Sequence, residues 1–173
     1  DFAPVLDVDT NPHNPIIGDR SFSADPQLAA NLGQAFVRGL QDNGIAACGK
    51  HFPGHGDTDL DSHLALPSVT HDLTRLRALE LVPFRAAIEA RVSGLMTAHV
   101  SFPCIESEDI PATMSRTLLI DLLRNELRFQ GVTFSDDLEM RAIAHDWPVS
   151  KAACRAVQAG CDVLLICRSE QAA

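Results

Sequence analysis

The chain has 173 residues, 46% of them hydrophobic and 21% charged, a composition that predicts one globular domain with a sizeable core. Its formal net charge of −9 argues against nonspecific nucleic-acid binding, because that binding depends on Lys and Arg contacting phosphates. No apolar run reaches the roughly 20 residues that a membrane-spanning helix needs, so we expect no membrane span.

The two ends of the chain and its cysteines allow predictions about the length of the parent protein and its location. The chain starts with Asp1 rather than Met, in strand-like sequence, and stops soon after an apolar run, so we expect a piece of a longer protein. Five cysteines without a CxxC pair favour free thiols in a reducing compartment over disulfides. This pattern predicts a cytoplasmic protein.

Five short apolar runs are bounded by turn or polar residues, which is typical of strands buried on both faces. They are residues 2–8, 45–48, 94–97, 131–134 and 161–167. Helical patterns lie between them, so the predicted order is β-α-β-α-β-α-β-α-β. Alternation of this kind implies parallel strands joined by helical crossovers.

Capping signals predict where these helices begin and end. Asp25 and Pro26 start the first helix, whose apolar residues follow at four-residue spacing, and Gly44 ends it. A second helical region covers about 73–91, with a proline that starts or kinks its second half. Ser115 is the expected cap of a leucine-rich third helix, and Ser150 of a fourth.

Two architectures fit this order, a doubly wound open sheet and a (β/α)₈ TIM-type barrel. An open sheet usually carries a Gly-rich phosphate loop after an early strand, and neither GxGxxG nor GxxxxGK[ST] occurs here. Every predicted strand instead ends in polar residues, as the carboxyl face of a barrel requires. Because a whole barrel takes about 250 residues, we expect an α/β partial barrel.

The densest group of chemical residues is the stretch 50–63, which follows the second predicted strand. It holds one Lys, three His, three Asp and two Gly within fourteen residues. Gly and Pro fix the shape of a loop, whereas His and Asp supply proton donors and acceptors. We therefore expect a functional loop rather than scaffold. Within it, Asp61 could hydrogen-bond His63, orient the imidazole and raise its pKa.

Two other features could serve the same site. The fourth predicted strand runs directly into Asp136 and Asp137, and a carboxylate held there could act as a nucleophile or cap the next helix. Arg20, in a loop after the first strand, could clamp a hydroxyl-rich or anionic ligand, or be a solvated charge.

Metal binding competes for the same loop, because its His and Asp residues could ligate a cation. However, the sequence has no HExxH motif or two-Cys ligand set, and Lys50 beside His51 would repel a cation. We therefore expect neither a metal ion nor an organic cofactor.

Six segments, in order along the chain, closely resemble glycoside hydrolase family 3, specifically its bacterial β-N-acetylhexosaminidases. The most specific are Lys-His-Phe-Pro-Gly-His-Gly at 50–56 with Asp-Ser-His at 61–63. The others are Phe-Ala-Pro-Val-Leu-Asp at 2–7, Gly-Asp-Arg-Ser-Phe at 18–22, Met-Thr-Ala-His at 96–99, 131–140 and Ala-Gly-Cys-Asp-Val-Leu at 159–164.

The resemblance implies a TIM-type barrel, of which residues 1–173 hold about the fourth to eighth strands. It implies hydrolysis of terminal β-linked N-acetylglucosamine with retention of configuration, on a small carbohydrate such as a peptidoglycan muropeptide. Asp136 would be the nucleophile, and His63, paired with Asp61, the general acid and base on a mobile loop. Arg20, Lys50 and His51 would bind the sugar.

Three alternatives stay open. A phosphorylase would use phosphate instead of water, a catalytically inactive fragment would only bind sugar, and a metal-dependent hydrolase would need a cation. The first strands of the family's barrel, which carry an Asp and an Arg that contact the sugar, are absent from this sequence. The activity of the fragment alone is therefore in doubt.

Overall fold

A computed structural model describes residues 1–62 and 65–168. Its central feature is one parallel sheet in the order β1-β2-β3-β4. The strands are Cys48–Phe52 (β1), Gly94–Thr97 (β2), Val132–Asp137 (β3) and Val163–Leu165 (β4). Each strand pairs in parallel with the next along the chain, so the predicted parallel crossover order is confirmed.

The predicted first strand lies along the free edge of β1. Val5 forms a parallel bridge with Lys50, and the Leu6 N–H donates to the Lys50 carbonyl at 2.6 Å. Two further bonds hold the segment to β1, from the Cys48 N–H to the Ala3 carbonyl at 2.8 Å and from the Lys50 N–H to the Pro4 carbonyl at 3.0 Å.

Three strands have bounds that differ from those expected. β1 begins at Cys48, where the predicted strand ended, β3 continues through Asp137 rather than stopping near residue 134, and β4 covers only Val163–Leu165 of the predicted 161–167. Apolar runs mark only the buried part of a strand, whereas the backbone ladder continues through polar residues. The polar strand ends therefore belong to the sheet itself, which gives their side chains a rigid support.

Helices connect the strands. The α-helices are Pro26–Gln41 (α1), Leu73–Ala78 (α2), Leu81–Glu89 (α3), Arg141–Ala144 (α4) and Val149–Ala159 (α5). Residues Thr117–Glu126 form a π-helix, and short 3₁₀ turns cover Gly18–Arg20 and Ala112–Met114. Pro83 lies in the first turn of α3, just after the break that separates α2 from α3.

The capping predictions had mixed outcomes. The Asp25 carboxylate accepts hydrogen bonds from two N–H groups of the first turn of α1, and Ser115 accepts from the Leu118 N–H at 3.0 Å, so both caps are confirmed. Ser150 as a cap is wrong, because α5 already begins at Val149, directly after Pro148. Gly160 ends α5 with φ of 121°, a backbone conformation that favours glycine.

The apolar stripe of α1 does not face the core. Leu28, Leu32 and Phe36 are 41–48% exposed, whereas the buried face of the helix consists mainly of Ala29, Ala30, Gly33 and Val37. A Cβ atom on Gly33 would lie 2.6 Å from the Leu6 side chain. The small residues on the buried face therefore let α1 approach the segment that contains Leu6, and the large apolar residues of α1 point away from the core.

The two faces of the sheet are covered unequally. Leu6 and Leu95 point to one face and share a continuous core with α1, α2, α3, the π-helix and α5. The opposite face includes Phe2 and Val132, which are 43% and 39% exposed. This second face is called the open face below. No helix among residues 1–62 and 65–168 is long and apolar enough to cross a membrane.

Candidate active site at the carboxyl ends of the strands

A cavity of about 260 Å³ lies at the carboxyl ends of the strands, on the open face. Side chains alternate between the two faces of a strand, so Lys50 shares a face with Cys48, and Asp136 with Phe134. Cys48 and Phe134 line a smaller pocket on that same open face. The main cavity is lined by Phe2, Ile16, Arg20, Lys50, His51, His55, Ser62, Met96, Asp136, Asp137, Met140, Leu165 and Cys167.

Four of the residues singled out in the sequence meet in this cavity: Arg20, Lys50, His51 and Asp136. They come from three chain segments that are far apart in the sequence, and the parallel sheet brings them together. Asp61 is a half-buried residue of the same loop, next to cavity-lining Ser62. His63 lies outside the described residues.

The two adjacent carboxylates at the end of β3 have different surroundings. Asp137 Oδ1 accepts from the Glu139 N–H at 3.0 Å and the Cys167 N–H at 3.3 Å, so it holds the turn after β3 and the chain after β4. Asp136 Oδ1 accepts from the N–H of Asp137 at 2.8 Å, and the residue shares the open-face parity of Phe134. Asp136 is therefore the carboxylate placed to meet a ligand.

Positive charge lies beside Asp136. Burial lowers the pKa of the Lys50 ammonium, the nearby Arg20 guanidinium lowers it further, and Asp136 opposes both effects. Arg20 is the last residue of the 3₁₀ turn Gly18–Arg20, and its Nη1 donates to the Ile16 carbonyl at 3.2 Å. The cavity thus combines two carboxylates, Asp136 and Asp137, with two cations, an arrangement suited to a ligand rich in hydroxyl groups.

Asp7 lies beneath the cavity and was absent from the predicted site. Its carboxylate is fully buried and contacts His51 Nδ1 at 2.7 Å, while the His55 N–H donates to it at 2.7 Å. Burial opposes ionisation, but the facing His51 and His55 lower the pKa of Asp7 overall. The sequence signal was present, because a charged residue ended an otherwise apolar strand.

His55 lines the cavity in a closed hydrogen-bond network. Its Nδ1 contacts Thr58 Oγ1 at 2.8 Å and its Nε2 contacts Ser62 Oγ at 3.1 Å. Burial lowers the pKa of His55 to about 4. The amide of Asn14 donates to the carbonyls of His55 and Gly56 at 2.8 and 3.0 Å, which fixes the turn from below.

Two further histidines have structural partners. His99 is buried, with Nε2 on the Asp137 carbonyl at 3.0 Å and Nδ1 on Thr113 Oγ1 at 2.8 Å, and burial lowers its pKa. His71 Nε2 contacts Asp57 Oδ2 and so ties the functional loop to the segment before α2. Both imidazoles are therefore held in place by the fold.

The His, Cys, Asp and Glu side chains were also compared with the grouping that a metal site needs. Across residues 1–62 and 65–168, His, Cys, Asp and Glu side chains form no group of three or more that could hold a metal ion. The five cysteines are all free, and burial raises the pKa of Cys48 and Cys161 to about 12. The buried thiols of Cys48 and Cys161 are therefore protonated and pack within the fold.

Comparison with known families identifies the family of the chain. The family described as glycosyl hydrolase family 3 N terminal domain matches residues 1–173. The chain belongs to glycoside hydrolase family 3. The resemblance inferred from its motifs is confirmed, and the domains of this family have an α/β, TIM-barrel-like fold.

Two curated relatives are named beta-hexosaminidase. A beta-hexosaminidase from Thiobacillus denitrificans is 44% identical over 172 residues, which cover 99% of this chain and 47% of the relative. A beta-hexosaminidase from Pseudomonas aeruginosa is 46% identical over 175 residues, with 99% and 51% covered. The chain therefore spans about half the length of these curated relatives.

Solved structures are similar as well. A family 3 beta-N-acetylglucosaminidase from a Paenibacillus species has a TM-score of 0.97 and 51% identity, with 99% of this chain and 32% of that chain covered. NagZ from Neisseria gonorrhoeae, solved in complex with N-trifluoroacetyl-D-glucosamine, has a TM-score of 0.88 and 38% identity, with 99% and 48% covered.

Proposed function

We propose that the chain is part of the catalytic domain of a retaining exo-β-N-acetylglucosaminidase. The observation that supports this most directly is the cavity in which Asp136 meets Lys50 and Arg20 at the carboxyl ends of parallel strands. The names of the relatives supply the substrate class. A muropeptide derived from peptidoglycan is the proposed natural substrate, and a cytoplasmic location stays a prediction.

In the proposed reaction, Asp136 attacks the anomeric carbon while the glycosidic bond breaks, and a covalent glycosyl-enzyme forms. His63 gives its proton to the departing oxygen and then takes one from the water that releases the sugar. Asp61 orients His63 and favours its protonated form. Arg20, Lys50 and His51 bind hydroxyl groups of the sugar.

The surroundings of two other histidines support His63 as the acid and base. His55 has both ring nitrogens in hydrogen bonds and a pKa lowered to about 4, so it carries no proton to give near neutral pH. His99 is buried and bonded at both nitrogens. Neither can approach a leaving group without breaking the network that holds it.

For the architecture, we propose that β1 to β4 and the edge segment before them are about the fourth to eighth strands of a TIM-type barrel. Helices cover one face of the sheet, as on the outside of a barrel wall, whereas a doubly wound sheet has helices on both faces. The exposed Phe2 and Val132 on the open face would then point into the barrel interior.

The test uses the full-length protein and two N-acetylglucosaminides, one with a poor alkoxide and one with a good phenolate leaving group. His63→Ala should greatly slow cleavage of the first and spare release of the phenolate from the second. Azide should then restore turnover and give a β-glycosyl azide, because azide needs no general base. His145→Ala is the matched control and should behave as wild type, since His145 is exposed and pairs with Asp146.

Equal slowing on both substrates without azide rescue would remove His63 from the acid/base role. A product analysis with and without phosphate separates hydrolysis from phosphorolysis. A glycosyl phosphate formed in preference to the free sugar would overturn the proposed hydrolase. Chelation should leave turnover unchanged.

A further inference from the structure

The Asp7 carboxylate has an unusual set of donors around it. His51 Nδ1 lies 2.7 Å from Oδ2, the His55 N–H donates to Oδ1 at 2.7 Å, and the His51 N–H lies 3.2 Å from both oxygens. All three groups belong to the turn that carries the cavity-lining histidines. One carboxylate therefore holds both ends of residues 51–55 and one imidazole ring.

A fully buried carboxylate carries a large desolvation cost, which Asp7 offsets by receiving donors only. The nearby histidines lower its pKa despite this burial, so it is ionised at neutral pH. An ionised carboxylate can only accept hydrogen bonds. The proton between the two side chains must therefore be on His51 Nδ1, which leaves Nε2 as the ring nitrogen available to a ligand.

From this geometry we infer that Asp7 is a positioning residue for sugar binding: it fixes the His51 tautomer and ring orientation and the path of the 51–55 turn. The inference rests on the proposed glycosidase function. His51 lines the cavity, where its Nε2 would contact the sugar, whereas Asp7 would act through His51.

Asp7→Asn tests this role with little change in volume. A carboxamide has one acceptor oxygen and one NH₂ donor, but three donors face it, so the imidazole must move its proton to Nε2 or leave a buried group unpaired. We expect kcat/KM for an aryl N-acetylglucosaminide to fall about 100-fold in the full-length enzyme, mostly through KM. In a His51→Ala background, Asp7→Asn should have a smaller effect than in the wild type, because the imidazole is gone and only the contacts of Asp7 with the 51–55 backbone remain.

Asp162→Asn is the matched control. Like Asp7, Asp162 accepts from a backbone N–H and from a side chain: the Thr133 N–H and the Arg124 guanidinium donate to it. Unlike Asp7, it lies at the amino ends of the strands. Its variant should keep the KM of the wild type. If Asp7→Asn and Asp162→Asn give the same KM, or if the Asp7 and His51 effects are additive, Asp7 is not a positioning residue.

A measurement without substrate separates this inference from the proposed function. In ¹⁵N-labelled wild type, the His51 ring should show a protonated, exchange-protected Nδ1, and Asp7→Asn should lose that signal while Asp162→Asn keeps it. An unprotonated Nδ1 in the wild type would overturn the inference, even if the Asp7 variant fails to fold. A wild type with the expected signal but no glycosidase activity would instead overturn the proposed function alone.

Discussion

The two ends of the parallel sheet contain similar charged groups with opposite uses. At the amino end, the Arg124 guanidinium donates to Asp162, to Thr133 Oγ1 and to two backbone carbonyls. At the carboxyl end, Arg20 is exposed and donates to one backbone carbonyl, and Lys50 is half-buried beside Asp136. A cation that donates four hydrogen bonds to groups of the fold stabilises it, whereas cations with donors to spare can bind a ligand.

The same contrast appears between neighbouring residues at the carboxyl end of β3. Both carboxylates line the cavity, but Asp137 accepts from two backbone N–H groups of separate segments, whereas Asp136 accepts from the adjacent Asp137 N–H. Hydrogen-bond partners, more than residue type, separate a structural carboxylate from the one proposed as the nucleophile. Each prediction below tests one side of this contrast.

The largest effect is expected for Asp136, the proposed nucleophile. Asp136→Asn in the full-length enzyme should lower kcat/KM at least about 1,000-fold and abolish the covalent glycosyl-enzyme seen by intact mass with a slow, activated substrate. Asp137→Asn keeps an oxygen that can accept the Glu139 N–H, so its loss should be much smaller. If Asp137→Asn were the more damaging change, the assignment of the nucleophile would be off by one residue.

The functional loop should tolerate no side chain at Gly56. A Cβ atom there would lie 1.8 Å from the Val8 carbonyl oxygen, so Gly56→Ala must shift the backbone that positions His55. We expect kcat/KM to fall about 100-fold. Gly39→Ala is the control, because a Cβ at Gly39 meets nothing within 4 Å on exposed α1, and it should raise the free energy of unfolding by about 0.5–1 kcal/mol. Wild-type activity in Gly56→Ala would contradict the packing described here.

Acid should destabilise the fold through His55. Its pKa of about 4 when folded lies below the value near 6.5 expected when unfolded, so below pH 6.5 the unfolded chain takes up a proton that the folded chain does not. The free energy of unfolding should therefore fall by about 3 kcal/mol from this group as pH drops from about 6.5 to 4. Urea unfolding at several pH values should show a shallower decline for His55→Gln, and an unchanged one for exposed His145→Gln.

The smallest effects compare two arginines at opposite ends of the sheet. Arg124→Met should lower the free energy of unfolding by about 2 kcal/mol and leave KM unchanged, because it removes bonds among structural groups. Arg20→Met should change the free energy of unfolding by less than about 1 kcal/mol but raise KM about tenfold. Urea unfolding and steady-state kinetics on both variants check this, and the reverse pattern would refute the contrast between the two ends.

Much of this molecule could be predicted from its sequence. The strand order follows from buried apolar runs, and α1 from Asp25 and Pro26, because these signals are local. Arg20, Lys50, His51 and Asp136 were expected to lie together because parallel strands end at the same edge. The acid/base assignment of His63 stays a prediction.

Other features could not be predicted, because they depend on contacts between residues that are far apart in the sequence. The large apolar residues of α1 looked like a core stripe, but Gly33 and the alanines allow a closer approach to Leu6. Asp7 looked like an ordinary strand end, and its role depends on histidines more than 40 residues away. The π-helical winding of 117–126 likewise has no simple sequence signal.

The long crossovers between strands also bear on how fast the site can form. Each parallel ladder joins residues from distant parts of the chain, as when Gly94 pairs with Cys48 on one side and with Val132 on the other. Loop-closure entropy must be lost before such contacts form, so parallel sheets fold slowly. The cavity draws on segments from residue 2 to residue 167, so binding competence should be regained only in the last phase of refolding.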